Sequence, residues 1–237
     1  MPDRNIDKQG AKGGEGSPGA PFDTIPPPTR PQAPSAQCNF WDDDCAHVGY
    51  NGWDGAPGTI GGRGEDGHNG PMHIIEVDRL DFNVSITVRG GDGGKGGKGG
   101  NGQHGGPGGQ GGDGRACEFP RNGGNGGKGG DAGAGGPGGN GGRGGRISIL
   151  YKQGVNIPAM TLDYSGGSRG MPGDNGIPGM PGQPGIPGQG GGEFSSSSDC
   201  EDMGPVPTQG AFGAVPSPAQ PGEPGASGPE PEVKAVP

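Results

Sequence analysis

The chain has 237 residues, of which 64 are glycine and 28 proline, with only 25% apolar and 5% aromatic residues and a formal charge of −9. Such a composition cannot bury a conventional core for its length, which sets aside folds and enzyme classes that are built on one. The charge is uneven: residues 89–146 carry +4 and the remainder −13, a mildly basic middle between acidic flanks.

Residues 1–37, with FDTIPPPTRPQAP, read as an extended, mobile tail. The opening MPDRNIDKQGAKGGEG has no apolar stretch of a secretory leader, and no run of 18 apolar residues follows anywhere, so membrane insertion is not expected. Next comes NFWDDDCAHVGYNGW, which gathers Trp41, Tyr50 and Trp53. It is the one stretch that could serve a receptor-binding adhesin. Its run Asp42, Asp43, Asp44 offers carboxylate oxygens to Ca²⁺, but no EF-hand spacing follows and three consecutive acids read as a solvated turn.

From residue 49 the chain becomes periodic. Glycine occupies every third position without a break in four tracts, 49–70 (A), 90–114 (B), 124–145 (C) and 167–191 (D). A polyproline II helix has three residues per turn, so each tract would carry a straight glycine row, and eight triplets would extend roughly 75 Å at about 3.1 Å per residue. Collagen shares the period, but B and C are mostly Gly-Gly-X with one proline each, and only D (GMPGDNGIPGMPGQPGIPG) is collagen-like. An extended helix has no internal hydrogen bonds, so its backbone must bond to neighbours, and bare glycine faces allow the approach. Tracts A and D have one glycine row; B has a second, broken by Gln103 and Arg115, and C a second, broken by Ala132. Counting one neighbour per row predicts a folded layer A–B–C–D with B and C internal.

Between A and B, Leu80, Phe82, Val84, Ile86 and Val88 alternate with polar residues, and between C and D so do Ile147, Ile149, Tyr151 and Met160, Leu162, Tyr164. Both stretches, 72–89 and 146–165, read as half-buried strands long enough for hairpins. If successive tracts alternate in direction, these segments meet at one end. Cys38, Cys45, Cys117 and Cys200 then fall at the other, as disulfide candidates of an oxidising compartment. The expected fold is therefore an antiparallel bundle of four glycine-rich polyproline II helices over 38–200, with a small β-strand cap at one end and a cysteine cluster at the other. Residues 201–237 read as a second, Pro-rich acidic tail.

On GGNGGKGGDAGAGGPGGNGGRGG and the disulfide-compatible cysteines, the chain resembles the springtail antifreeze proteins. VSITVRGGDGGKGGKGGNG, a strand running into a glycine tract, resembles the glycine-rich tail-fibre adhesins of T-even-type phages. The first resemblance implies a bundle of polyproline II helices. The departures are specific: springtail proteins lack the β-segments, and the phage adhesins carry long apolar or aromatic loops absent here.

The function expected is that of an extracellular or cell-surface structural protein, a self-assembling filament or surface-layer subunit, with a receptor-binding adhesin and an ice-binding protein as alternatives. In tract D, one row off the glycines reads Met171, Asp174, Ile177, Met180, Gln183, Ile186, Gln189, beside a ridge of prolines. Met171, Ile177, Met180 and Ile186 are the candidate self-association residues, forming an apolar stripe in a chain poor in apolar residues. Enzyme activity, cofactors and metals are not expected. The accidental GxGxxG matches lie on no strand–turn–helix unit, and His47, His68, His73 and His104 have no ligand spacing. GGRGGR at 141–146 lacks the repeated units and stacking aromatics of nucleic-acid binding. A surface receptor or glycan as partner is left open, and the sequon at Asn83 reads as a chance occurrence.

Overall fold

The computed structural model describes residues 4–21, 27–39, 43–80, 83–116, 118–153, 159–191 and 203–237. Its organisation follows from where the backbone N–H groups of every third residue go. In tract B the row from Gly91 to Gly112 donates to residues from His68 down to His47, antiparallel to tract A. The adjacent row, Gly90 to Gly114, donates to residues from Ser165 up to Gln189, parallel to tract D. Tract C repeats the scheme. Its row from Gly124 to Gly145 bonds back to B in antiparallel fashion, while donors from Gly126 to Gly144 reach Thr208 to Ala226 in parallel. Tract A donates in parallel to C, and D donates in antiparallel fashion to C.

Two more extended segments complete the array. In the N-terminal segment Gly10, Gly13, Gly16 and Gly19 donate to Arg89, Asp92, Lys95 and Lys98, and Ala33 and Ala36 extend the parallel pairing with B. In the C-terminal segment Gly210, Gly213, Gly222, Gly225 and Gly228 donate to tract D and its entry at Tyr164, in antiparallel order. The six segments therefore form two layers. The N-terminal segment, B and D run one way in one layer; A, C and the C-terminal segment run the other way in the second. Each segment bonds to its sequence neighbour across the layers and to the segment after that within its own layer.

The layers meet backbone to backbone, with B–C hydrogen bonds of 2.7–2.9 Å. Bare glycine faces permit this: a Cβ on Gly96 would strike the carbonyl oxygen of Gly136 in the opposite layer, and one on Gly105 that of Gly127.

At one end glycine gives way to strands. Eight are present among the described residues: β1 (Arg4–Asp7), β2 (Gln37–Cys38), β3 (Asp43–Asp44), β4 (Met72–Arg79), β5 (Val84–Thr87), β6 (Arg146–Gln153), β7 (Met160–Asp163) and β8 (Glu232–Ala235). The layer of N-terminal segment, B and D begins as the parallel sheet β1-β5-β7, and the layer of A, C and C-terminal segment ends as the parallel sheet β4-β6-β8. Ile86 stands opposite Ile6 and Leu162, and Ile149 opposite Ile75 and Val233. Ile75, Leu80, Val84, Ile86, Val88, Ile147 and Ile149 form the buried cluster, with Ile6, Val77, Tyr151, Met160, Leu162 and Tyr164 packed against it. The apolar alternation read from the sequence thus faces inward; Phe82 lies outside the described residues. At the opposite end β2 and β3 form a short antiparallel ladder.

Four expectations are corrected. The antiparallel bundle of four polyproline II helices with a small strand cap is not the fold: the regular secondary structure is β, in two three-stranded parallel sheets and a two-stranded ladder, with no α- or 3₁₀-helix among the described residues. The extended segments number six in two layers, because each tract accepts bonds on its carbonyls as well as donating them, and so has more neighbours than its glycine rows suggest. The terminal stretches are not free tails, since residues 8–19 and 203–228 both donate backbone hydrogen bonds to the tracts and accept them. Nor are the inter-tract strands hairpins. β4 and β5 enter different sheets, as do β6 and β7, because each strand prolongs a segment of a different layer.

Candidate association edge

Among the described residues, each segment has an outward row whose N–H groups no neighbouring backbone reaches. On the broad face of the second layer, Asn51 and Asp54 accept the N–H groups of Asn125 and Lys128, Asp66 and Asn69 those of Asn140 and Arg143. One segment further on, Asn125, Asp131 and Asn140 do the same for Thr208, Ala214 and Glu223. On the opposite face Asp92, Asn101, His104 and Asp113 accept from Ser168, Ile177, Met180 and Gln189. The short polar side chains of the outward rows are thus ties between parallel neighbours, committed to the backbone rather than offered to a ligand.

The electrostatics agree. The Ser168 N–H, then Arg89, hold Asp92 below the usual carboxylate range against its partial desolvation. Asp131 is lowered by the Ala214 N–H first and by Lys128 next, and Asp163 by the hydroxyl and N–H of Ser165. Lys95 pairs with Asp174 at 3.1 Å, an exposed contact worth little by itself.

The two narrow edges differ. On the edge of N-terminal segment and tract A, the Arg30 guanidinium lies 3.3 Å from the centroid of the Trp53 ring, and its Nε donates to the carbonyl of Asn51. Trp53 is therefore engaged within the molecule; Tyr50 is half-exposed nearby in the same row, while Trp41 lies outside the described residues. Of the disulfide candidates, Cys38 and Cys45 are both disulfide-bonded, and Cys117 and Cys200 lie outside the described residues.

On the edge of tract D and the C-terminal segment, Met171, Ile177, Met180 and Ile186 project from one straight row, each 60–62% exposed. The sequence reading missed the companion row. In the C-terminal segment Val206, Phe212 and Val215 are 64–81% exposed. The antiparallel bonds Gly210 to Gly182 and Gly213 to Gly179 set Val206 level with Ile186, Phe212 with Met180, and Val215 with Ile177. The prolines of the D ridge lie between the rows, and Met171, Pro172, Asn175 and Pro218 line one shallow groove across them. Asn175 bridges the segments at this level: its Nδ2 donates to the Pro216 carbonyl and its Oδ1 accepts from the Gly135 N–H. The missed signal was periodic, with Val206, Gln209, Phe212, Val215 and Pro218 at intervals of three, in phase with Gly210 and Gly213.

No family model matches the chain, and no curated protein does. Among solved structures it is similar to the nine polyproline type II helical bundle springtail antifreeze protein from Granisotoma rainieri, with 25% sequence identity over 63% of this chain and 92% of that one, at a TM-score of 0.17. A superposition that poor carries no structural argument.

Proposed function

We propose that the protein is an extracellular structural subunit that associates with copies of itself through the edge of tract D and the C-terminal segment. The observation that carries this is the pair of level-matched apolar rows, a contiguous exposed surface on a chain otherwise poor in apolar residues. Burying a side chain of this size contributes about 1.5–3 kcal/mol, so seven on one edge exceed what scattered surface residues provide. Many of the short polar side chains on the broad faces are engaged as backbone ties, and the disulfide-bonded cysteines suit an oxidising compartment.

The test is the triple variant Ile177→Ser, Met180→Ser, Ile186→Ser. It keeps every glycine and every ladder donor, so the circular dichroism stays that of the wild type while sedimentation velocity and micrographs lose the assembled species. A strictly monomeric wild type at high concentration, or a triple variant that assembles normally, overturns the reading.

A second reading rests on the same edge. It is straight, repeats every three residues and carries Asp174 as the one charge on its two apolar rows from 171 to 189 and 206 to 218, features that also suit a repeating solid surface such as ice. The uneven bulk of Met171, Ile177 and Phe212 supports it less well than it supports packing against another protein surface. Thermal hysteresis from monomeric protein, abolished by the triple variant, would select it.

A further inference from the structure

Along its outward row tract D reads Ser168, Met171, Asp174, Ile177, Met180, Gln183, Ile186, Gln189: polar, apolar, polar, apolar, then apolar, polar, apolar, polar. The pattern is the same from either end, about a point midway between Ile177 and Met180. The companion row has its bulkiest pair, Phe212 and Val215, at that level, with Gln209 and Pro218 on either side.

We infer that two copies of the chain pair edge to edge about a twofold axis normal to the layers, passing between Ile177 and Met180, so that tract D of one copy lies antiparallel to tract D of the other. This rests on the self-association proposed above and specifies its geometry. The axis sets Ile177 against Met180 of the second copy, Met171 against Ile186 and Asp174 against Gln183, whose amide is a donor for the carboxylate. Apolar meets apolar and polar meets polar along the whole row, the self-complementarity that a twofold contact requires. The same rotation puts Phe212 against Val215 of the second copy. The row from 168 to 189 is about 65 Å long at about 3.1 Å per residue. At two segments wide, its area reaches the roughly 800 Å² per partner of a stable interface. Among the described residues nothing packs over it. A second copy is the occupant with matching rows, because an unrelated apolar partner has no reason to meet a pattern that reads the same in both directions. Within the pair each layer continues from one copy into the other, and the edges carrying Trp53 and Arg30 face outward at both sides.

The pairing mode is read from distances between identical labels in the two copies. Single cysteines replacing Pro181, Gln183 and Gln189 in the otherwise native, oxidised protein carry nitroxides, with labelled wild type as the control for native thiols. The twofold geometry predicts axial separations of about 16, 28 and 65 Å in that order, from 3.1 Å per residue. Separations that grow in this way support the inference. Equal separations at all three sites mean that the copies run parallel; the inference then falls while self-association stands. Absence of any intermolecular coupling, with sedimentation as a monomer, overturns both.

Discussion

The glycine array and the β end of the molecule share one topology and solve the space between their layers in opposite ways. In the array, C donates backbone hydrogen bonds to B across the layers with nothing between them. At the strand end the same layers continue as β1-β5-β7 and β4-β6-β8, and Ile86, Val88, Ile147 and Ile149 fill the space. Sheets packed through side chains stand about 10 Å apart, a separation at which no interlayer backbone bond forms. Removing the side chain creates the first kind of contact and adding it creates the second. What the difference teaches is that the order of the segments does not depend on what lies between them: sequence neighbours across, alternate segments alongside, in both regions.

Substitutions that place the wrong filling in each region test this. The largest effect is expected from Gly96→Val or Gly105→Val, whose Cβ would meet the backbone carbonyls of Gly136 and Gly127 in the opposite layer, which cannot withdraw. Each should cost more than about 4 kcal/mol or prevent folding, seen in thermal melts. Asn125→Val, on an outward row, should cost about 1 kcal/mol, because it gives up the acceptor for Thr208 without meeting the opposite layer. Equal melting of the two classes would remove the distinction. In the strand end the opposite change does the damage: Ile149→Ala leaves a cavity and should cost about 2–5 kcal/mol by denaturant titration.

Smaller effects sharpen the comparison. Asn175→Ala leaves the buried Gly135 N–H without its acceptor, and a loss of about 1–3 kcal/mol should appear as faster amide exchange at Gly135 before any change in the strands. Acid should act on the array first. Asp92 and Asp131 are depressed in the folded state, so their contribution is in full force above the unfolded value of about 3.9 and is lost as the pH falls through the folded values. Amide protection in tracts B to D should therefore decline below about pH 4 ahead of β4 and β6, whose burial is apolar. Protection lost first in the strands would contradict it.

Much of this was legible in the sequence, and the gaps have physical reasons. Unbroken glycine triplets mark tracts A to D, and the alternation around Val84, Ile86 and Ile147, Ile149 marks inward strand faces, because both signals are steric and local. The terminal segments were missed because their triplets are interrupted: Gly210 and Gly213 are separated from Gly222 by Pro216 and Ala219, and a Pro-rich acidic stretch reads as unstructured. Row counting underestimated the neighbours of tract A, since Tyr50, Trp53 and Ala56 accept bonds from B through carbonyls that need no missing side chain. For the same reason only half of the association edge, Met171 to Ile186, could be read, and Val206, Phe212 and Val215 acquired a place only with the segment that carries them.

Bonding each segment to the two before it has a consequence for how the chain is made. Among the described residues no extended segment bonds to itself, so the first to be synthesised gains nothing until a second and third exist to hold it. Non-local pairing of this kind loses loop entropy before contacts compensate it, and folding is slow. Growth is then processive in the manner of weaving: tract C can seat only on a finished A and B, tract D on B and C, and the final segment locks the cloth.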